Sequence, residues 1–550
     1  MTNTKPSDEN LIPVRRFVRQ CRQSWSLPKI ADSSGVKLTG GRLLVASLAL
    51  RQVLKREVVA ADEPHVGVLL PPSVGGVLAN TSLSLLGRVA VNLNYTLSNA
   101  DLNACIHQAG IRHVITSKRV MEKLGYTLDA APVYLEDLKT RITKLDKLRA
   151  FTAAYCWPLG MLERRLGLTR IGPDDLLTII FTSGSTGEPK GVMLTHGNVG
   201  SNTRAVDQTV HLRDSDVLLG VLPFFHSFGY TATMWLPLTL SPKSVYHFNP
   251  LDGREVGKLA EKHAITILMA APTFLRTYLK RCTPEQMHAL NLVITGAEKL
   301  PRDLCDSFRE KFGVEPSEGY GTTELSPVVS VNVPDDRLGP DSPLGTKVGT
   351  VGRPLPGVLA KIVDPDTGEA LEQGREGLLL ISGPNVMRGY YRQSQKTAEV
   401  LNDGWYNTGD FARIDEEGFI EITGRQNRFS KIGGEMVPHI KIEEQLARIV
   451  GDVEETEEGQ PDIRVAVTSV ADAKKGERII VVHKSLGMPV DKVLTQLAES
   501  GLPNLWIPDA KSFLEVEQIP VLGTGKLDLK ALKQLAESRF APQTNVARSA

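Results

Sequence analysis

The stretch that most restricts what this chain can fold into is Thr178–Leu194, TIIFTSGSTGEPKGVML. Thr178-Ile179-Ile180-Phe181-Thr182 is β-branched and aromatic, as a buried strand requires. Between Thr182 and Gly191 lie three glycines, two serines, two threonines and Lys190, after which Val192-Met193-Leu194 reads as a second strand. A glycine-rich loop of this kind can lay backbone N–H groups and hydroxyls along a polyphosphate, because glycine permits close approach and positive φ. It is not the Gly-Lys-Ser/Thr phosphate loop, since Pro189 precedes Lys190 and Gly191 follows it. A Ser/Gly stretch alone is most often an ordinary turn; the ordered run that ends in a lysine favours a bound anion.

The surrounding pattern predicts a parallel α/β sheet. A helix over Arg42–Leu54 precedes a buried strand at His65–Leu70, and Pro71-Pro72-Ser73 interrupts before an Ala/Leu-rich helix through Leu86. Val89–Leu93 and His113–Ile115 read as strands separated by helical Asn99–Gly110, and strands alternating with helices at this spacing make parallel sheets. Further strands are expected at Val217–Leu222, Ala264–Met269 and Leu292–Thr295, with a helix over Asn198–Val210. Gly352–Gly357 opens a small, barrel-like β subdomain that continues through Ile362-Val363 and Gly377–Ile381. Residues 1–40 are polar and mixed and read as a loosely attached lead-in.

A chain of 550 residues exceeds a single core and implies at least two domains. A net charge of +1 provides no overall field for nucleic acid. The five cysteines are scattered without a CxxC pair, which argues against a disulfide framework or zinc site and for a reducing compartment. The N-terminus lacks an apolar signal core, and no apolar run reaches the length of a membrane span, so the expectation is a cytoplasmic protein. One segment leaves peripheral contact with the inner face of the membrane open. Lys139–Arg170 holds eight Lys/Arg against two Asp/Glu, interleaved with Leu148, Phe151, Tyr155 and Trp157, which suits an anionic membrane surface or an acidic carrier protein. A solvated helical hairpin broken at Pro158 and Gly160 is the plainer alternative.

Three later motifs carry chemistry. Ser317–Glu324 combines an aromatic that can stack on a base, hydroxyls for a phosphate, and a carboxylate for a hard divalent cation, although a lone Thr-Glu also caps helices. Asp410, in Trp405–Asp410, has the acceptors to hold two vicinal hydroxyls. His226, among the aromatics of Pro223–Gly229, is by itself more often a satisfied core residue than a catalytic one. Lys526, after Gly523-Thr524-Gly525, is by itself a surface charge.

Together these motifs, in this order, resemble the acyl-adenylate-forming superfamily over roughly residues 40–535. The resemblance implies an α/β fold in which residues 1–426 form the adenylation domain, with 350–426 as its β-barrel-like part, and 427–550 form a mobile α+β C-terminal domain hinged at Asn427. It implies that Thr182, Ser183, Gly184, Ser185, Thr186, Gly187 and Lys190 bind the phosphates of ATP. Glu298, Glu318, Gly319, Tyr320, Gly321, Thr322, Thr323, Asp410 and Arg425 would complete the nucleotide site, with Glu324 on Mg2+. His226 would border the acyl pocket, Lys526 and Lys431 would be catalytic in the two half-reactions, and Gly433-Gly434 would lie beside the tunnel for a phosphopantetheine thiol. The hinge departs from the family pattern, which places aspartate or lysine where Asn427 stands. Amino-acid-activating members usually carry aspartate at the position of His226, so an α-amino acid substrate is disfavoured.

Phe225–Gly229, Gly296–Leu300, Glu318–Pro334 and Phe429–Val437 most resemble the acyl-ACP synthetase module of bacterial lysophospholipid acyltransferase/acyl-ACP synthetase proteins, and the long-chain fatty acid CoA ligases. The implied reaction joins a fatty acid to AMP with loss of pyrophosphate and passes the acyl group to acyl carrier protein or coenzyme A. Amino- or aryl-acid adenylation, a luciferase-like oxidase and an inactive acyl-binding protein are the alternatives.

Overall fold

The computed structural model describes residues 11–182, 189–338, 345–432, 435–451, 463–472, 476–521 and 527–540. Two large sheets and two smaller ones carry the chain. In the first, His65–Val68 lies between parallel neighbours Val89–Asn92 and His113–Thr116, the latter pairing with Ala131–Tyr134. Val89–Asn92 leads to Leu176–Thr182, which turns back antiparallel into Lys190–Thr195. The second sheet runs Pro28–Asp32, Lys243–Tyr246, Val217–Gly220, Ile267–Ala270, Leu292–Thr295 and Ser317–Gly321, all parallel, with antiparallel strands at both margins. His65–Val68, Val89–Asn92, Val217–Gly220, Ile267–Ala270 and Leu292–Thr295 are buried along their whole length, as apolar runs covered by helices on both faces must be.

Local chemistry sets the helix boundaries. Thr195 and Asn198 form a capping box that starts the helix His196–Val210 directly after the glycine-rich hairpin. Gly110 and Gly313 end their helices in the left-handed conformation that glycine adopts without a Cβ penalty.

The lead-in expected at residues 1–40 is, in its described part, built into the core. Pro13–Gln23 is a helix whose Val14, Phe17, Val18 and Cys21 are fully buried, and Pro28–Asp32 is a strand of the second sheet. Arg15 and Arg19 of this helix both pair with the buried Glu163, at 2.6 and 2.9 Å. The apolar spacing of one, three and four residues is that of a helix face, masked in the sequence by the interleaved Arg15, Arg16 and Arg19 and the following Arg22.

The third sheet is antiparallel, with Leu359–Val363, Gly377–Ser382 and Trp405–Ile414 in order and both Leu401–Asn402 and Ile420–Arg425 pairing with Trp405–Ile414. A single helical turn, Gln426–Arg428, leads to the fourth sheet, which includes Phe429–Ile432, Val465–Asp472 and Gly476–His483. This last region has its own apolar core around Ile442, Leu446, Val467, Ile479 and Val481. Large parallel α/β sheets followed by a smaller C-terminal domain are the architecture of the chain.

Candidate active site

The motifs converge because they follow the carboxyl ends of parallel strands. In the second sheet the chain passes from Val217–Gly220 to Lys243–Tyr246 on one side and then to Ile267–Ala270 on the other, and crevices at such reversals are where open α/β sheets bind ligands. His226-Ser227-Phe228 follows the central strand, Gly296–Leu300 follows Leu292–Thr295, and Thr322-Thr323-Glu324 follows Ser317–Gly321. The Ser227 hydroxyl donates to Thr323 Oγ1 at 3.3 Å, joining two of these ends. A Cβ at Gly296 would sit 3.6 Å from the Phe228 ring and 3.5 Å from the carbonyl of Gly319, so a bare backbone keeps this crevice open. His226 is exposed, its ring tilted against Phe225 at 4.5 Å.

Thr182 and Lys190 are paired across the antiparallel strands and form the base of the glycine-rich hairpin. Ser183, Gly184, Ser185, Thr186 and Gly187, between them, lie outside the described residues. So do Gly433, Gly434 and Lys526, as well as the side chains of Asn427 and Lys431.

The segment Pro384–Tyr391 joins this hairpin to the Glu324 turn. Met387 N–H donates to the Glu324 carbonyl at 2.7 Å, Arg388 N–H to Met193 at 3.0 Å, and Tyr391 N–H to Gly191 at 2.7 Å. Tyr390 is thereby placed between the two. Its hydroxyl donates to Glu324 Oε1 at 2.8 Å, and its ring lies 5.2 Å beneath the Lys190 ammonium. Tyr406 is hydrogen-bonded to Tyr390, and burial followed by the charge of Glu324 drives its hydroxyl far above the usual tyrosine range. Sequence reasoning missed Tyr390. The Gly-Tyr pair carries no signal of its own, and only strand pairing between Gly389–Tyr390 and Lys190–Thr195, some two hundred positions away in the chain, brings it to the site.

Asp410 is the buried carboxylate of the group. It faces Arg425 across adjacent strands, with Arg425 Nε 2.9 Å from Oδ1, while the Tyr320 hydroxyl donates to Oδ2. Burial raises its carboxyl above the ordinary aspartate range, opposed by the Arg425 guanidinium and the Tyr320 hydroxyl. An ionised carboxylate has about four acceptor positions, so each oxygen retains one for a further donor, which fits a vicinal diol. Glu318 accepts the backbone N–H of Leu300 at 3.1 Å, and burial raises its carboxyl. Thr322 has a buried hydroxyl with no hydrogen-bond partner, an orphan that a phosphate oxygen would satisfy.

Glu298 stands apart. It is exposed, accepts the Thr273 hydroxyl at 2.8 Å, and precedes Lys299, which pairs at 2.7 Å with Glu444 of the helix His439–Val450. No group of three metal-ligating side chains occurs among the described residues. Magnesium held through one carboxylate and the phosphates of its nucleotide needs no such group, so Glu324 fits that ion. Asn427 sits in the single turn that links the third and fourth sheets.

Parallel α/β sheets with nucleotide-type motifs at their carboxyl ends, followed by a smaller C-terminal domain, define the class of acyl-adenylate-forming enzymes. Residues 17–391 match the family described as AMP-binding enzyme, and the chain belongs to that family, in its class of AMP-forming acid–thiol ligases. It is 29% identical to the long-chain-fatty-acid–CoA ligase of Bacillus subtilis (strain 168), covering 90% of this chain and 89% of that one. It is 30% identical to the probable 4-coumarate–CoA ligase 1 of Dictyostelium discoideum, covering 88% and 86%. Its fold matches the crystal structure of ATP-bound MatB from Rhodopseudomonas palustris with a TM-score of 0.74 at 26% identity, over 95% of this chain and 98% of that one.

Proposed function

We propose that this enzyme activates a long-chain fatty acid with ATP and Mg2+ as an acyl-adenylate and passes the acyl group to the phosphopantetheine thiol of acyl carrier protein or coenzyme A. The observation that carries this reading is the continuous Lys190–Tyr390–Glu324 contact beside the buried Asp410 with its partners Tyr320 and Arg425. A carboxylate is a poor electrophile, and bonding it to AMP creates a leaving group that a thiolate can displace. Both transfers move negative charge onto phosphate oxygens, so the site acts through cations and aligned donors and needs no protein nucleophile.

In this reading Thr182, Lys190 and the hydroxyls of Thr322 and Thr323 take the phosphates, Tyr320 and Glu318 border the base, and Asp410 with Arg425 holds the ribose. Glu324 would hold Mg2+, which supplies charge neutralisation at the phosphates. His226, Phe228 and Gly296 line the entrance for the acid, with no fixed negative charge for an α-ammonium. Residues 427–550 turn about Asn427, so that Lys526 serves adenylation and Lys431, beside Gly433-Gly434, serves thiol attack. The similarity to the Bacillus subtilis long-chain-fatty-acid–CoA ligase supports the fatty substrate.

The similarity to 4-coumarate–CoA ligases favours aryl acids as the second reading. ATP–pyrophosphate exchange across fatty and hydroxycinnamic acids, followed by acceptor assays with coenzyme A and with acyl carrier protein, separates the two. Release of ADP in place of AMP overturns both.

A further inference from the structure

The helix Lys144–Tyr155 buries one side and leaves the opposite side bare. It packs on Gly40–Val53, and its buried side carries Asp146, Ala150, Ala153 and Ala154. Leu145, Leu148 and Phe151 are 51%, 61% and 51% exposed. With Tyr155 they form one stripe, because residues three and four apart share a helix face. The Tyr155 ring meets Phe151 at 4.4 Å and Trp25 at 3.6 Å. Trp25 is 44% exposed and Leu27 58% exposed, so the apolar surface runs on from the helix to the turn before Pro28–Asp32. A connected exposed patch of large apolar side chains marks an interaction surface, where single exposed ones do not.

Charge selects the partner. From Lys139 to Arg170 all eight Lys/Arg are exposed, whereas both acids of the segment are buried and paired, Asp146 with Arg56 and Glu163 with Arg15 and Arg19. The exposed charge of the segment is therefore entirely positive. At 100° per residue, Lys147 and Arg149 fall on opposite edges of the apolar stripe and Lys144 at its start. Aromatic and aliphatic side chains on an exposed helix face, bordered by cations, are the pattern of a helix lying in the headgroup region of a bilayer. Among the described residues no helix is long and apolar enough to cross one.

We propose that this face docks the enzyme on an anionic phospholipid surface. Leu145, Leu148, Phe151 and Trp25 enter the boundary between headgroups and acyl chains, and Lys144, Lys147 and Arg149 meet lipid phosphates. The face is separate from the proposed reaction, because none of these side chains belongs to the nucleotide or acid site proposed above.

The full-length protein is sedimented with vesicles of phosphatidylcholine alone and of phosphatidylcholine mixed with phosphatidylglycerol. Binding is expected to the mixed vesicles only and to fall as salt rises, since exposed charges are screened beyond about 8 Å at physiological ionic strength. Each cation near an anionic surface contributes about fivefold in partitioning, so K144Q/K147Q/R149Q should weaken binding about a hundredfold. L148E/F151E should abolish it, and pyrophosphate exchange without vesicles should be unchanged in both variants, which shows that they fold. Equal binding to neutral vesicles, undiminished binding by either variant, or retention of acidic carrier protein by this face without vesicle binding overturns the proposal.

Discussion

Removing one oxygen from Tyr390 should impair adenylation while leaving the fold intact. In Tyr390→Phe the ring stays beneath Lys190 and the strand pairing to Lys190–Thr195 persists, but Glu324 Oε1 loses its donor at 2.8 Å. A hydrogen bond to a charged group contributes about 1.5–3 kcal/mol. At about 1.4 kcal/mol per decade, that corresponds to roughly a tenfold to 150-fold fall in kcat/KM for ATP. Tyr390→Leu also removes the cation–π contact, which contributes about 0.5–2 kcal/mol, and should cost a further twofold to thirtyfold. The assay is ATP–pyrophosphate exchange titrated with Mg2+. Because Tyr390 acts through Glu324, Y390F should raise the Mg2+ concentration needed for half-maximal exchange. E324Q/Y390F should cost little beyond E324Q, as coupled neighbours do in a double-mutant cycle. A Y390F enzyme within about twofold of the parent, or losses that add in full, refutes the positioning role.

Three further outcomes follow from particular side chains. Asp410→Ala should weaken ATP binding by about 1.5–3 kcal/mol in calorimetry, since two ribose hydroxyls lose a charged acceptor, and unchanged affinity in a folded variant removes the ribose assignment. His196, buried at the start of the helix His196–Val210, is held neutral down to about 4 by desolvation. The unfolded histidine takes up a proton near 6.5, so its contribution is complete above that pH and is lost as pH falls toward 4. The loss is on the order of 3 kcal/mol, and His196→Phe should flatten the urea midpoint across this window. Lys526→Ala should lose pyrophosphate exchange by roughly a hundredfold to a thousandfold yet still convert supplied acyl-adenylate to thioester. Lys431→Ala should show the reverse balance, and equal loss of the same half-reaction in both variants excludes an alternating C-terminal domain.

What could be read from the chain divides by the range of the interaction. The buried strands were visible because their apolar content is local: His65–Val68, Val89–Asn92 and Leu292–Thr295 fall within or at the expected segments. The hairpin that carries the glycine-rich stretch is legible for the same reason, and Thr182 does pair with Lys190. The helix Pro13–Gln23 is equally local, but a stretch judged by its mixed, polar composition does not show the face that Val14, Phe17, Val18 and Cys21 make among Arg15, Arg16, Arg19 and Arg22. Two of those arginines anchor the helix instead, on a glutamate more than 140 positions away.

Tyr390 and the shape of the acid entrance were not legible at all, and for one physical cause. Each depends on which strand ends the sheet order sets side by side. Ser227 follows Val217–Gly220 and Thr323 follows Ser317–Gly321, with two strands between them in the sheet, and a Cβ at Gly296 would lie 3.6 Å from the Phe228 ring. In the proposed reaction an acid would be sorted by such contacts between strand ends, whereas ATP would be held largely by motifs contiguous in sequence. On that proposal the chemistry of activation would be legible along the chain, and the choice between a fatty and an aryl acid would depend on the order of strands across the sheet.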